Sequence, residues 1–220
     1  MEFVMKANDF SSYYTALSQP GSWEDPQTDR SRRMVTVPLL SYFNNIAFAG
    51  LNDLSKGQLN IWRNSYPQEA VANLPGYIDV GRVKFSFPQT DGETPDNIRC
   101  DGQRIVLPVD QYDWIYMLCS AERRVEDEAT LFFSDGSVDF VPFCVSDFWP
   151  GAKGRNGEIE ALRFDSLNFP RHRQVRIEPA IWRSRIPVAR ETPLSAIRLP
   201  RNVAAHLFAV TCLRSEDIDQ

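Results

Sequence analysis

The sequence is poor in the residues from which most catalytic motifs are built. Its 220 residues hold only two histidines and four cysteines, and no HExxH, GxSxG, Walker or EF-hand pattern occurs. Cys100, Cys119, Cys144 and Cys212 lie far apart, with no CxxC and no histidine at zinc spacing, which argues against a structural zinc site. Cys119, Cys144 and Cys212 sit in apolar, strand-like runs, where a thiol behaves as a small hydrophobe; buried, reduced cysteines are expected. No apolar run approaches the roughly 20 residues of a membrane span. The opening "MEFVMKANDF" has an early acid and no signal-peptide core, so a cytoplasmic protein without a membrane segment is expected. An excess of base is also missing. With 24 Lys and Arg against 29 Asp and Glu the formal charge is −5 and the pI about 5.1, which argues against a general nucleic-acid binder. Long helical periodicity is absent after residue 34.

Short strands and turns take its place. A hydrophobic fraction of 43% with five tryptophans supplies a sizeable core, and 15 prolines suit many turns. "VTVPLL", "NIAFA", "YIDVG", "RVKFSF", "RIVLP", "WIYMLCS", "ATLFF", "VDFVPFCV", "AIWRSRIPV", "AIRL" and "HLFAVTCL" read as strands. "LFFSDGSVDFVPF" reads as a hairpin with an Asp-Gly corner. The expected fold is an all-β, antiparallel two-sheet jelly-roll sandwich over residues 35–213. Tyr116, Phe132, Phe140 and Phe208 are expected to pack inward or against a sheet. In "HLFAVTCL", His206, Phe208, Val210 and Cys212 share one face and Leu207, Ala209, Thr211 and Leu213 the other. Both rows are largely apolar, so this strand should be central. Residues 1–34 form an arm in which Phe10, Tyr13, Tyr14 and Leu17 fall at helical spacing, and residues 214–220 form a tail.

Three aromatic–polar clusters are candidate ligand sites. "IWRNSYP" places Trp62 beside Arg63 and Asn64. "SDFWPG" places Trp149 beside Asp147, and "IWRSR" places Trp182 beside Arg183. A sugar needs a flat apolar ring under its C–H face and planar polar groups for its hydroxyls, and each cluster offers both. Tryptophan also fills cores, and that alternative stands for each of the three. The loop "TDGETPDNIRCDGQRI" offers Asp91, Glu93 and Asp96 as hard oxygen donors that suit calcium as an optional ion; no cofactor is required. Asp and Asn equally favour turns, because their side chains bond their own backbone. "GAKGRNGE" reads as a flexible loop without the context of a phosphate cradle. Eight arginines between 171 and 201, against Glu178 and Glu191, read as a solvated face or an anion pocket. His206 reads as a structural histidine.

In order along the chain, "VPLLSYFNNIAFAG", "VKFSFPQTDGETPDNIRCDGQRIVLP", "WIYMLCSAE", "FFSDGSVDFVPFCVSDFW" and "IRLPRNVAAHLFAVTCL" resemble a jelly-roll accessory domain appended to bacterial glycoside hydrolases. The resemblance covers about Val35 to Leu213 and implies a carbohydrate-binding-module-like sandwich. It also implies that "PDN" and "GQ" belong to the framework. Two function classes follow. One is a module that binds a polar glycan or glycosylated small molecule. The other is a stand-alone enzyme of isomerase, cyclase or hydrolase type, of bacterial specialised metabolism, using a carboxylate acid/base in the sandwich pocket. A scaffold pairing through sheet faces, as a homodimer, is the third reading.

Overall fold

A computed structural model describes residues 33–149 and 151–215. The helical pattern expected around Phe10–Leu17 lies outside the described residues, as does the end of the tail. The first eight strands are β1 (Met34–Val37), β2 (Phe48–Ala49), β3 (Tyr66–Pro67), β4 (Tyr77–Val80), β5 (Val83–Ser86), β6 (Ile98–Arg99), β7 (Arg104–Asp110) and β8 (Tyr112–Ala121). The other eight are β9 (Val125–Phe133), β10 (Val138–Val145), β11 (Ile159–Arg163), β12 (Ser166–Phe169), β13 (His172–Val175), β14 (Ala180–Pro187), β15 (Leu194–Arg198) and β16 (Ala205–Arg214). Helical structure among the described residues is confined to short 3-10 turns.

Two antiparallel sheets make the sandwich, as expected. The larger runs β1-β16-β8-β14-β11, with β6 also paired to β16; the smaller runs β10-β9-β15-β7. Each edge strand of the smaller sheet carries a proline, Pro142 in β10 and Pro108 in β7. Proline cannot donate to a ladder, so an edge is where a sheet tolerates it. The β9–β10 hairpin turns at Asp135-Gly136: Gly136 has φ 86°, and the Asp135 carboxylate accepts the Ser137 N–H at 2.9 Å.

The larger sheet is buried on both faces. Ile115, Met117, Leu131 and Phe143 pack between the two sheets. On the far face Phe48, Tyr66, Phe85, Phe164 and Phe208 form a second, aromatic core under a layer built from β2–β5 and β12. Double-sided burial explains why β8 and β16 read as nearly continuous apolar runs. β16 is central, as expected, but its alternation is not strict. A register shift between Leu207 and Ala209 leaves Leu207, Val210 and Cys212 in the inter-sheet core and puts Phe208, Ala209 and Leu213 in the aromatic core. The added residue of a bulge resets the two-residue period.

Tyr116 and Phe208 are buried as expected. Phe132 and Phe140 are not inward, which corrects the sequence reading. The hairpin register pairs Val138 with Phe132 and sends Leu131, Phe133, Val141 and Phe143 to the core instead. A one-residue change of phase moves every side chain to the other face. Phe140 is 57% exposed, and Phe132 lies under the guanidinium of Arg104, 4.3 Å from its ring centre. All four cysteines are free and buried.

The "PDN" segment ties the aromatic layer to β16. The buried Asp96 carboxylate accepts the N–H groups of Ala47 at 2.8 Å and Phe48 at 3.0 Å, where the chain enters β2. Asn97 gives its amide hydrogens to Asp96 at 2.8 Å and to the Asn45 carbonyl at 3.0 Å. Its oxygen is therefore the acceptor facing His206 Nδ1 at 2.8 Å, so the proton of the imidazole sits on Nδ1. Burial pushes Asp96 up to about 7 and His206 down to about 4.

Candidate functional site

One rim of the sandwich collects side chains that are far apart in sequence. It starts at a tight turn between residues 60 and 64. The Asn60 side-chain oxygen accepts the N–H groups of Trp62 and Asn64, each at 3.1 Å, and its amide donates to Asn64 Oδ1 at 2.9 Å. Buried Asn64 is pinned in turn by a bond to the Asn168 carbonyl at 3.1 Å. Arg63 closes the turn in the left-handed region, φ 57°, which costs a non-glycine residue roughly 1–2 kcal/mol. The result is a rigid knuckle whose tip, Trp62, stays 65% exposed.

The facing wall comes from the end of β10. Asp147 makes a parallel bridge to Ala121, and the Phe148 N–H donates to the Ala121 carbonyl at 2.9 Å. Phe148 is buried and packs edge-on to Tyr66 at 6.1 Å, anchoring the segment between two solvent-facing neighbours. The Asp147 carboxylate accepts the Trp149 N–H at 2.9 Å, which sets the path of the chain at Trp149, 43% exposed. From behind, Trp182 Nε1 donates to the Asp147 carbonyl at 2.9 Å.

Trp62, Trp149 and Asp147 thus line one cleft of about 460 Å³, closed by Glu122, Arg123 and Phe169. Phe169 stacks on His172, ring centres 4.9 Å apart. Arg123, in the β8–β9 turn, is a second left-handed arginine, φ 63°. The cleft continues past Asp147 and Trp149 into a wider lobe of about 890 Å³, where Ser146, Lys153 and Arg155 join Arg123 and Arg124. Under this lobe the Glu158 carboxylate accepts the Ser146 N–H at 2.8 Å and the Ser146 hydroxyl. Burial raises its pKa.

Of the ligand residues expected from sequence, the fold brings together Trp62, Trp149 and Asp147. Trp182 and Arg183 do not line the cleft. Trp182 is 3% exposed and supports the wall. Arg183 is buried on β14, donating to the Val80 carbonyl at 3.0 Å with its guanidinium 5.4 Å from the Tyr116 ring centre. Asn60, Glu122, Arg123 and Phe169 were not singled out by sequence. The reciprocal Asn60–Asn64 pair is a local signal that could have marked the knuckle; the others arrive through tertiary structure alone.

The acidic loop is placed elsewhere. Asp91 caps its own turn, accepting the N–H groups of Glu93 and Thr94, each at 2.7 Å, which holds its pKa low. Glu93 pairs with Lys56 at 2.9 Å, and Asp96 is spent on β2. Among the described residues no three His, Cys, Asp or Glu side chains are grouped to hold a metal ion. A separate groove of about 690 Å³ beneath this loop is lined largely by apolar residues such as Leu39, Phe43, Pro75 and Phe87. Among the described residues no helix is long and apolar enough to cross a membrane.

No curated protein matches the chain. The comparison with protein families supports a β-sandwich domain and does not support a carbohydrate-binding or hydrolase-accessory module. The β-sandwich expected from the resemblance is therefore shown. Residues 33–216 match the model of the AziU2-like beta-sandwich domain, and the chain belongs to that family.

Proposed function

We propose that the protein is a binding module for a polar, sugar-like small molecule or glycan end, held in the rim cleft between Trp62 and Trp149. The carrying observation is convergence: two exposed indoles and a carboxylate, 87 residues apart at the extremes, line one cleft. The backbone hydrogen bonds that hold both tryptophan segments speak for a preformed site. Aromatic faces suit the C–H side of a sugar ring, while Asp147 and Glu122 supply directional partners for hydroxyls. Titrating tryptophan fluorescence with a panel of mono- and oligosaccharides tests the reading. Saturable quenching that disappears in Trp62→Ala or Trp149→Ala supports it. Unchanged binding by both folded variants removes the cleft from the mechanism.

A second reading is that of an acid/base enzyme, motivated by Glu158. A carboxyl group whose pKa is raised by burial, bonded to a hydroxyl that lines the wider lobe, is the kind of group that serves as a general acid or base. Product formation from the same panel, lost in Glu158→Gln, would favour it over simple binding.

A further inference from the structure

The wider lobe of the cleft is strongly cationic on a protein that is acidic as a whole. Arg123, Arg124, Lys153 and Arg155 line it against one carboxylate, Asp147, while the full chain carries −5. Arg124 is occupied by Glu126 at 3.1 Å. Among the described residues the side chains of Arg123, Lys153 and Arg155 have no ion-pair partner. We infer that this lobe is an anion subsite, taking the sulfate, phosphate or carboxylate group of a ligand whose ring lies at the tryptophans. The ring position rests on the binding proposed above; the anion contact does not.

Three features of the lobe go beyond a scatter of surface charge. Arg123 occupies a left-handed position, where glycine or asparagine would relieve strain, and this conformation is kept with a side chain that borders both lobes. Strain of this kind gathers where a side chain must be aimed. The loop carrying Lys153 and Arg155 is tied down from beneath. The Arg155 N–H reaches Ser146 Oγ at 3.2 Å, and Ser146 is bonded to half-buried Glu158. At Gly154 an added Cβ would lie 2.7 Å from the Glu158 carbonyl, so the loop closes against its own exit strand. Finally, the guanidinium forks of Arg123 and Arg155 and the ammonium of Lys153, without ion-pair partners among the described residues, line one lobe and suit the planar and tetrahedral oxyanions that arginine recognises best. A ligand bridging both lobes would put its ring on Trp149 and its charge beyond Asp147, so the Asp147 carboxylate would repel an anion placed at the ring itself.

The test uses inorganic sulfate, inorganic phosphate and acetate, each titrated at constant ionic strength held with chloride. The indole N–H signals are followed by nuclear magnetic resonance, with the Trp149 signal as the reporter of the lobe. The expected result is a saturating shift of Trp149 with at least one oxyanion and none with chloride. Arg123→Gly, which suits the left-handed backbone, and Arg155→Gln should each weaken that binding by about tenfold or more, with melting temperatures showing that both remain folded. A sulfate, phosphate and acetate response no different from chloride, or affinities unchanged in both variants, overturns the subsite. Saturation by an oxyanion while every neutral sugar fails would keep the subsite and sink the ring reading. Sugar binding at Trp149 without any oxyanion response would do the reverse.

Discussion

Replacing Trp62, Trp149 and Trp182 one at a time by alanine separates two kinds of tryptophan. Trp182 is 3% exposed and donates to the Asp147 carbonyl. Its loss opens a cavity costing about 3–5 kcal/mol and leaves that carbonyl short of a partner, about 1 kcal/mol more. Trp62 is 65% exposed. With about 250 Å² for a whole tryptophan, roughly a third, or about 90 Å², is covered by the protein. At about 25 cal/mol per Å² the cost of Trp62→Ala is at most about 2 kcal/mol. For a domain of this size each kcal/mol moves Tm by about 2–4 °C. Trp62→Ala should therefore melt within about 8 °C of the parent, and Trp182→Ala at least about 8 °C below it. Binding runs the other way. A ring laid on one indole face removes on the order of 100 Å² of apolar surface from both partners together, about 2.5 kcal/mol. That is a loss of between tenfold and a hundredfold in affinity. Differential scanning calorimetry and fluorescence titration of the same samples give both numbers. If Trp62→Ala melts as low as Trp182→Ala, the knuckle is part of the core. If it melts like the parent and binds every ligand of the parent equally well, Trp62 is no platform.

Further outcomes follow from the fold. His206 has its pKa pushed down to about 4 from 6.5 by burial, so the unfolded chain binds the extra proton first as pH falls. Its contribution is fully present above about pH 6.5 and lost toward pH 4, about 3 kcal/mol in all. Asp96, raised to about 7, acts in the opposite sense over the same window, so the readable quantity is the difference between parent and His206→Gln. That difference should shrink in urea melts as pH falls from 7 to 4, and a constant difference would contradict a neutral buried imidazole. Phe143→Ala should cost about 3–5 kcal/mol and Phe140→Ala under about 1 kcal/mol, since only Phe143 is buried; equal losses would mean the hairpin register is wrong. Calcium and a chelator should each leave Tm within a degree, because Asp91, Glu93 and Asp96 already have partners; a rise with calcium would put an ion in that loop.

Strand existence was legible along most of the chain, because short apolar runs bounded by Gly, Pro, Asn and Asp have few other readings. Facing was less so. β9 and β10 carry aromatics on both sides of the smaller sheet, so nothing local says that Phe133 rather than Phe132 belongs inside. The phase is set by the Asp135-Gly136 turn and by pairing with β15. The bulge in β16 was equally silent, as every residue around it is apolar. Half of the candidate cleft could be seen: the exposed indoles Trp62 and Trp149 stand beside polar neighbours in the sequence. Trp182 and Arg183 had the same local signature and turned out to be buried, because β14 is an internal strand covered on both faces. The cationic lobe was invisible, since Arg123 and Arg155 meet only when the β8–β9 turn and the loop after β10 are brought to the same rim.

The placement of this cleft follows from how the aromatic layer is held. Asp96 and Asn97 fasten the start of β2 to β16, and Asn168 fastens β12 to the same layer by donating to the Ala49 carbonyl at 2.9 Å. Between those two clamps the chain from 50 to 65 must loop out and return, and the knuckle bearing Trp62 is that return. Its partner wall is fixed independently, by Phe148 inserted into the aromatic core and by the Asp147–Ala121 bridge at the end of β8. The two walls therefore meet because two separate anchors share one core, while the residues at their tips, Trp62 and Trp149, stay largely in solvent and carry less of the packing. Tips of this kind can change without loss of the frame. The fold accordingly rests on the anchors Asp96, Asn97, Phe148 and Asn168, whereas the proposed binding rests on the tip residues Trp62, Arg123, Trp149 and Arg155. Exchanging the tip residues should alter what is bound at nearly constant stability, whereas exchanging an anchor should cost stability before specificity changes.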